Sequence, residues 1–466
     1  MFKIEKELLN EVVVNFVFKD KLPEKLKTLE EKKVFTANIS ETYSDLDLEN
    51  KGVIYLGLGN ETEENLEQLR MTGFNLGKLL NSRKIEKVSI DLINIKKGHF
   101  AQNILEGLID SQYKFDHYKV EKKEPTLKEV SFLNVGSKDK LILETMNLMA
   151  GVFKTRDFVN LTPIDLYPES YANKITELFK DTNVEVEILD KKSIENLGMH
   201  SLLAVNKGSD REPRFVVLKY FNNKSTTKHL TLVGKGVTYD SGGYALKPAT
   251  SMVNMKNDMG GSAAVVGLMY ALSQNKLETN VVGVMALTEN MINGNAFKNG
   301  DVISSMKGTT IEVINTDAEG RLTLADSIYY AATKLESTKI IELSTLTGAA
   351  VVALGTHITG VTTEDEEFYN KVHESGNKAG EFNWRLPMTD QLKSSVKSDI
   401  AELKNSVAGG GGMMTAGIFL NHFAEDVPFI HLDIAGTAFG SAYKHLPAGA
   451  SGTGVKTLYH YIKDNE

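Results

Sequence analysis

Two short stretches hold most of the residues in this chain whose types and spacing could do chemistry. Asn315-Thr316-Asp317-Ala318-Glu319-Gly320-Arg321 places two carboxylates and a guanidinium within five residues, between an apolar run, 310–314, and a periodic helical segment, 322–335. Carboxylates that close repel one another, so positive charge belongs between them. Arg321 supplies one such charge, and a hard metal cation could supply the rest. The competing reading is a surface turn, since Asn, Asp and Gly are all turn formers.

The second stretch follows the apolar run 230–233. It reads Gly234-Lys235-Gly236, then Asp240-Ser241-Gly242-Gly243, Lys247-Pro248 and Met255-Lys256-Asn257-Asp258-Met259-Gly260-Gly261, ahead of the apolar segment 263–272. Its residues follow neither a helical nor a strand period, which predicts loops at the end of a strand. Catalytic groups gather on such loops in α/β scaffolds.

Together the stretches offer four acids, Asp240, Asp258, Asp317 and Glu319, with no histidine in either and no cysteine in the chain. A metal here would take oxygen ligands, with a lysine amine as the one other donor. Four acids exceed what one divalent cation usually recruits in a hydrolase. A pair of cations about 3.5–4 Å apart would use them all and balance their charge. A lysine ligates only as the neutral amine, far below its usual pKa of about 10.4, and nearby dications with partial burial push it that way. Lys235, between two glycines that let the backbone come close, is the better ligand candidate. Lys247 could stay cationic and face a developing oxyanion. Each could also be a surface lysine in a salt bridge. A water between two cations would ionise near neutral pH and attack a polarised carbonyl. Other hydrolytic devices are missing from the sequence: it has neither an HExxH helix nor a GxSxG elbow. Ser241 reads as a turn hydroxyl, and His431, in an apolar strand, as a satisfied core residue.

The elements that must position these groups alternate along the chain. In the first part, strands are predicted over 12–17, 53–58, 88–93 and 130–133, with helices over 62–80 (Thr62 as N-cap) and 101–109. The Lys/Glu-rich stretch 119–128 reads as a solvated connection. Gly57-Leu58-Gly59 lacks the full spacing of a phosphate-binding turn. An apolar helical stripe over 141–159 stops near Asn160-Leu161-Thr162-Pro163 and serves as connector. In the second part, strands are predicted over 184–189, 215–220, 230–233, 281–286, 340–343 and 429–432, with helices over 169–179, 262–273, 321–335 and 415–423. The expected fold is therefore α/β with two domains. A smaller N-terminal α/β domain, 1–136, is joined by a helix, 137–162, to a larger C-terminal α/β domain, 163–466, with a mostly parallel central sheet.

At 466 residues, 41% hydrophobic and 24% charged, the chain has the composition of a soluble globular protein of two or three domains. A formal net charge of -8 argues against nucleic acid as the main partner. No segment approaches the roughly 18 consecutive apolar residues that span a bilayer, so no membrane partner is expected. Met1-Phe2-Lys3-Ile4-Glu5-Lys6 lacks the apolar core of a signal peptide. With the absence of cysteine, this predicts a cytoplasmic enzyme.

The motifs are also recognisable. Asn315 to Leu322, Asn-Thr-Asp-Ala-Glu-Gly-Arg-Leu, resembles the signature of the leucine aminopeptidase (cytosol aminopeptidase) family. Gly234 to Gly243, Lys247-Pro248 and Met255 to Met259 resemble that family's metal-binding stretch. Ser344-Thr345-Leu346-Thr347-Gly348-Ala349, Trp384-Arg385-Leu386-Pro387 and His431-Leu432-Asp433-Ile434-Ala435-Gly436 extend the likeness through the second domain from about residue 156. The first domain carries no comparable motif and is assigned by position.

The resemblance implies a two-metal exopeptidase that removes N-terminal residues, leucine and other bulky apolar ones above all. It implies one metal (zinc or manganese) held by Asp240, Asp317 and Glu319, and a second held by Lys235, Asp240, Asp258 and Glu319. The substrate's free amine would bind the metal on the Lys235 side, so only chain ends are cut. Lys247 would stabilise the tetrahedral gem-diolate, and Arg321 would hold a bicarbonate ion acting as general base. Met255, Thr345, Gly348, Ala435 and Ala438 match positions lining the side-chain pocket. Members assemble as homohexamers of two stacked trimers. Three departures stand out. Tyr239 replaces the commoner phenylalanine, Gly409 to Gly412 make an unusually glycine-rich loop before Met413-Met414, and Ala438 is smaller than in some members.

Overall fold

Runs of β-branched and aliphatic residues, broken by glycine, asparagine and charged segments, become strands here wherever a helix can cover them. The computed structural model describes residues 2–5, 10–122 and 126–466, which form two compact units. One comprises Met1–Met149 with Ala442–Pro447, the other Ala150–Ser441 with Ala448–Glu466. The helix Asp139–Asn160 contributes to both.

In the first unit the strands are β1 (Phe2–Ile4), β2 (Val12–Val17), β3 (Thr42–Leu46), β4 (Gly52–Gly57), β5 (Lys87–Asp91) and β6 (Glu129–Leu133), in the order β1-β6-β5-β2-β4-β3. All neighbours are parallel except β3, which runs antiparallel to β4. The helices Leu66–Ser82 and Gly98–Asp110 cross so closely that a Cβ on Gly73 would lie 1.9 Å from the Ile104 carbonyl oxygen. The first of them starts later than the sequence predicts. Its cap is Asn65 rather than Thr62, and the Asn65 Oδ1 accepts the Gln68 N–H at 3.0 Å, an arrangement asparagine favours more strongly than threonine. The predicted connection 119–128 lies partly outside the described residues.

The second unit holds β7 (Glu185–Leu189), β8 (Arg214–Phe221), β9 (Leu230–Asp240), β10 (Asn280–Asn290), β11 (Val302–Ser304), β12 (Thr310–Glu312), β13 (Lys339–Ser344), β14 (Thr359–Thr362), β15 (Asn383–Arg385), β16 (Leu403–Lys404) and β17 (Phe429–Asp433). Its large sheet has the order β15-β14-β17-β13-β9-β10-β8-β7, with β17, β13, β9 and β10 parallel at the centre. Helices cover both faces. Val282 and Val284 of β10 join a buried cluster with Leu322, Ala325 and Ile328 of the helix Gly320–Thr333. The intervening Gly283 faces the other way, where a Cβ would meet Val265 of the helix Gly260–Asn275 at 2.8 Å. Strands buried on both sides carry no alternation of polar and apolar residues.

That burial explains one departure from the sequence reading. Residues 234–240 are not loop: β9 continues through them to Asp240, paired with β10 as far as Asn290. The pairing slips by one residue, with Val237 opposite Thr288 but Tyr239 opposite Glu289, so Thr238 is an extra residue in β9. In a regular strand, residues five apart face opposite sides. One inserted residue reverses that parity, and so Lys235 and Asp240 can serve the same site.

Close backbone approach brings the next element in. A Cβ on Gly261 would sit 2.0 Å from the Leu343 carbonyl oxygen, and one on Gly234 2.6 Å from the Ser262 Cα. These glycines let the helix Gly260–Asn275 rest on β9 and β13, which carries Asp258 to Lys235. Gly261→Ala is expected to destabilise the protein by about 3 kcal/mol, at the upper end of overpacking costs. Gly294→Ala, where a Cβ meets nothing within 4 Å, should be near neutral. Urea denaturation of the two variants checks this, and equal midpoints would contradict it.

Candidate metal centre

β9 brings Lys235 and Asp240 to its carboxyl end, where ligands gather in parallel sheets. Asp258 follows the short turn Met255–Asn257, and Asp317 and Glu319 precede the helix Gly320–Thr333. Lys235 Nζ lies 2.7 Å from Asp258 Oδ2 and 3.1 Å from Glu319 Oε1. Lys247 Nζ lies 2.7 Å from Asp240 Oδ2 and 2.6 Å from Asp317 Oδ1. Asp240, Asp317 and Glu319 each present one oxygen, and these oxygens all lie within 4.8 Å of one another. All but Asp317 and Lys247 are buried. The spacing of glycines is part of the design. A Cβ on Gly320 would lie 2.3 Å from Lys235 Cε, so the lysine reaches Glu319 only because its neighbour has no side chain. Gly242 and Gly243 take positive φ of 86° and 62°, turning the chain after Asp240.

The electrostatics show a site short of positive charge. Burial, reinforced by Asp240, raises Glu319 well above the usual carboxylate range and also raises Asp317. Burial pushes Asp258 up to about 6 despite Lys235. Burial opposes charge on Lys235 and Lys247 as well, but Asp258, Glu319 and Asp240 around the first, and Asp240 and Glu319 around the second, outweigh it and hold both ammonium groups above their ordinary pKa. For Lys235 this is the reverse of the fall that a ligating amine needs. Losing that proton would take a stronger cation at the same carboxylates. Arg321, lowered to about 10 by burial, donates from Nη1 to the Asn405 carbonyl oxygen at 2.7 Å. Four acids face two lysines, with Arg321 beside Glu319 as a third cation, so the acids still outnumber the positive charges. Glu319 Oε2 is buried with no hydrogen-bond partner among the described residues. Hard oxygen donors, one orphaned and several reluctant to ionise, fit divalent cations.

Three further residues hold the site, and the sequence reading missed them. Asn290 Nδ2 donates to Asp240 Oδ1 at 2.8 Å and to the Thr316 carbonyl oxygen at 3.1 Å. Thr316 Oγ1 donates to the Gly242 carbonyl oxygen and accepts the Ala245 N–H, both at 2.8 Å. Asn405 clamps the loop before Asp317: its Oδ1 accepts the N–H groups of Ile314 (2.8 Å) and Asn315 (3.2 Å). Its Nδ2 donates to the carbonyl oxygens of Asn315 (2.7 Å) and Ala318 (3.3 Å). Asn290 was within reach of sequence reasoning, as the polar residue closing an apolar strand at its carboxyl end. Asn405 lies some ninety residues from the loop it holds, with no local signal.

The residues matched to a side-chain pocket are only partly gathered. Thr345 Oγ1 donates to Asp258 Oδ1 at 2.8 Å. Thr345 and Ala438 flank Gly260, whose Cβ would meet Thr345 Cγ2 at 3.3 Å and Ala438 Cβ at 3.5 Å. Met255 opens the turn before Asp258, and Ala435 follows β17. Gly348 stands exposed at the start of the helix Gly348–Leu354, with open space where a side chain would project. Ser241 is the turn hydroxyl expected, donating to the Asn290 carbonyl oxygen at 2.8 Å. His431 is buried as expected but satisfied at one nitrogen only: Nδ1 meets Glu342, and Nε2 has no partner among the described residues.

Comparison with known proteins places this geometry. The model of the cytosol aminopeptidase family's catalytic domain matches residues 153–459, and that of the family's N-terminal domain matches residues 4–122. A probable cytosol aminopeptidase of Treponema denticola is 44% identical over 462 residues, 97% of each chain. One from Clostridium tetani is 43% identical over 445 residues, 93% of this chain and 92% of its own. Among solved structures, the bottromycin maturation enzyme BotP is similar with a TM-score of 0.88 and 30% identity over 98% of this chain and 99% of its own. A structure of that enzyme in complex with Mn gives the same TM-score and identity.

Asn405→Ala removes the side-chain partner of two partly buried N–H groups and two carbonyl oxygens, of which the Asn315 oxygen keeps the Ala318 N–H. It is expected to lower the unfolding free energy by about 1–3 kcal/mol, since an unpaired buried group costs roughly that much and the part-exposed ones will find water. Chemical denaturation measures this, and a loss below about 1 kcal/mol would show that the clamp carries no weight.

Proposed function

This chain belongs to the cytosol aminopeptidase family, and we propose that within it the protein is a leucyl aminopeptidase working with two divalent cations, zinc or manganese. Membership makes it a metal-dependent hydrolase of N-terminal residues. The finer reading is carried by one observation: oxygens of Asp240, Asp317 and Glu319 converge within 4.8 Å of one another at the end of β9, and Glu319 Oε2 is buried with no hydrogen-bond partner among the described residues.

In this reading Asp240, Asp317 and Glu319 hold one cation, and Lys235, Asp240, Asp258 and Glu319 hold the other. When bound, the cations lower the pKa of a water and polarise the scissile carbonyl. Asn290 keeps Asp240 aimed, with Oδ1 committed to Asn290 and to the Gly242 N–H and Oδ2 facing Lys247. Lys247, partly exposed among the acids, carries the charge that meets oxygen as it turns negative. Arg321, with one donor anchored on Asn405, offers its remaining N–H groups to a bicarbonate ion that supplies a proton acceptor. Lys235 and Asp258, the latter held by the Thr345 hydroxyl, would hold the cation that takes the substrate's free amine, so that only chain ends are cut. Thr345, Gly348, Ala435 and Ala438, small residues with Met255, leave apolar room for a leucine side chain. The reading includes a homohexamer in the cytoplasm, which light scattering of the purified protein tests for assembly.

Hydrolysis of leucine amide should vanish on chelation and return with manganese or zinc, and an acetylated leucyl peptide should not be cut. Efficient cleavage of the acetylated peptide would overturn the exopeptidase reading. Lys247→Ala is expected to keep its metal and lose about 10²–10³-fold in kcat, the cost of one oxyanion donor. Steady-state kinetics beside metal analysis checks this, and a kcat within twofold of wild type would remove Lys247 from the chemistry.

A further inference from the structure

We propose that Asp433 is a positioning residue that sets specificity, by fixing the distance between the two loops that form the substrate pocket. The inference rests on the pocket reading given above, and it concerns a residue that touches neither the proposed metal ligands nor the substrate.

β13 and β17 are parallel neighbours, with Ser344 opposite Asp433 at their carboxyl ends. Beyond that point each strand gives way to a loop bearing pocket residues, Thr345 and Gly348 after β13, and Ala435 and Ala438 after β17. Asp433 is the joint between them. Its Oδ1 accepts the N–H groups of Leu346 (3.2 Å) and Thr347 (3.4 Å) from the first loop and of Ala435 (3.1 Å) from its own. Its Oδ2 accepts the Thr347 hydroxyl at 2.6 Å. Thr347 Oγ1 in turn accepts the Ala350 N–H at 3.1 Å, so the same hydroxyl caps the helix Gly348–Leu354. On the β17 side, Ala438 donates back to the Ile434 carbonyl oxygen at 2.9 Å, and Ile434 donates to the Ser344 carbonyl oxygen at 2.8 Å. A carboxylate 1% exposed thus takes four donors from two loops.

Three N–H groups and a hydroxyl converge on one carboxylate, and the Thr347 hydroxyl makes the shortest contact at 2.6 Å. Burying that charge costs free energy unless every oxygen is satisfied. Here both oxygens are, and what the arrangement fixes is relative position. Thr345 and Ala438 meet across Gly260 with the loops at this spacing. A slackened joint lets the pocket walls part, and the contacts that distinguish a leucine side chain from a methyl are the first to go. Pocket contacts of this kind are worth roughly 10–200-fold per methylene at most, so the effect belongs in selectivity.

The test compares kcat/KM on leucine amide and alanine amide for Asp433→Ala, Asp433→Asn and Thr347→Val, with manganese content and thermal unfolding measured on each. The leucine-to-alanine ratio should fall by roughly tenfold in Asp433→Ala and Thr347→Val, chiefly through KM for leucine amide, with metal content at the wild-type level. Asp433→Asn, which keeps an acceptor at the Oδ1 position, should recover part of the ratio. Should Asp433→Ala not fold, Thr347→Val decides, because it removes the same contact from the other side. An unchanged ratio in the folded variants overturns the proposal, and so does a fall that goes with loss of metal. Ala438→Phe separates the two levels of inference. If it leaves the ratio unchanged, the pocket reading itself fails. If it moves the ratio while the Asp433 and Thr347 variants do not, only the role of Asp433 fails.

Discussion

Everything in the catalytic unit answers to the crowding of four carboxylates at the buried end of one strand. Asp240, Asp258, Asp317 and Glu319 would repel one another and pay heavily for leaving water, and a fold that placed them together for packing alone would be losing free energy. Lys235 and Lys247 relieve part of this, each bridging two of the acids. Burial first, and Asp240 beside them, still raise Asp258, Asp317 and Glu319 despite the lysines. A buried cluster kept short of positive charge is the arrangement expected where cations complete the structure.

The scaffold's irregularities serve that cluster. The extra residue at Thr238 lets one strand contribute both Lys235 and Asp240. Gly261 and Gly320 remove the side chains that would otherwise keep Asp258 and Glu319 away from Lys235. Asn290, Thr316 and Asn405 then supply the hydrogen bonds that keep a loop of acids from spreading. Stability and chemistry draw here on the same residues, so substitutions around the site change both.

Much of this was legible in the sequence because the chemistry is local. Two stretches of acid, lysine and glycine announce an oxygen-ligand site, and the structure brings both to the end of β9. Legibility failed where the deciding partner is remote. Residues 234–240 read as loop because glycine, lysine and aspartate are poor strand formers, yet pairing with β10 makes them strand. The helix Glu366–Ala379 passed unnoticed because it buries only a narrow stripe, with Phe368 and Val372 its large members. Asn405 and the Glu342–His431 pair exist only through contacts about ninety residues apart. Spacing along a chain does not encode cross-strand register, and so His431 could be read as buried but not as half-satisfied.

The central claim is that these carboxylates bind divalent cations rather than balancing lysines alone. Calorimetric titration of manganese into the chelated protein tests it most directly. The account expects two ions bound per chain, with Glu319→Gln abolishing binding at both positions because Glu319 serves each. Wild-type protein that takes up no manganese, or a Glu319→Gln variant that still binds two ions, would contradict it.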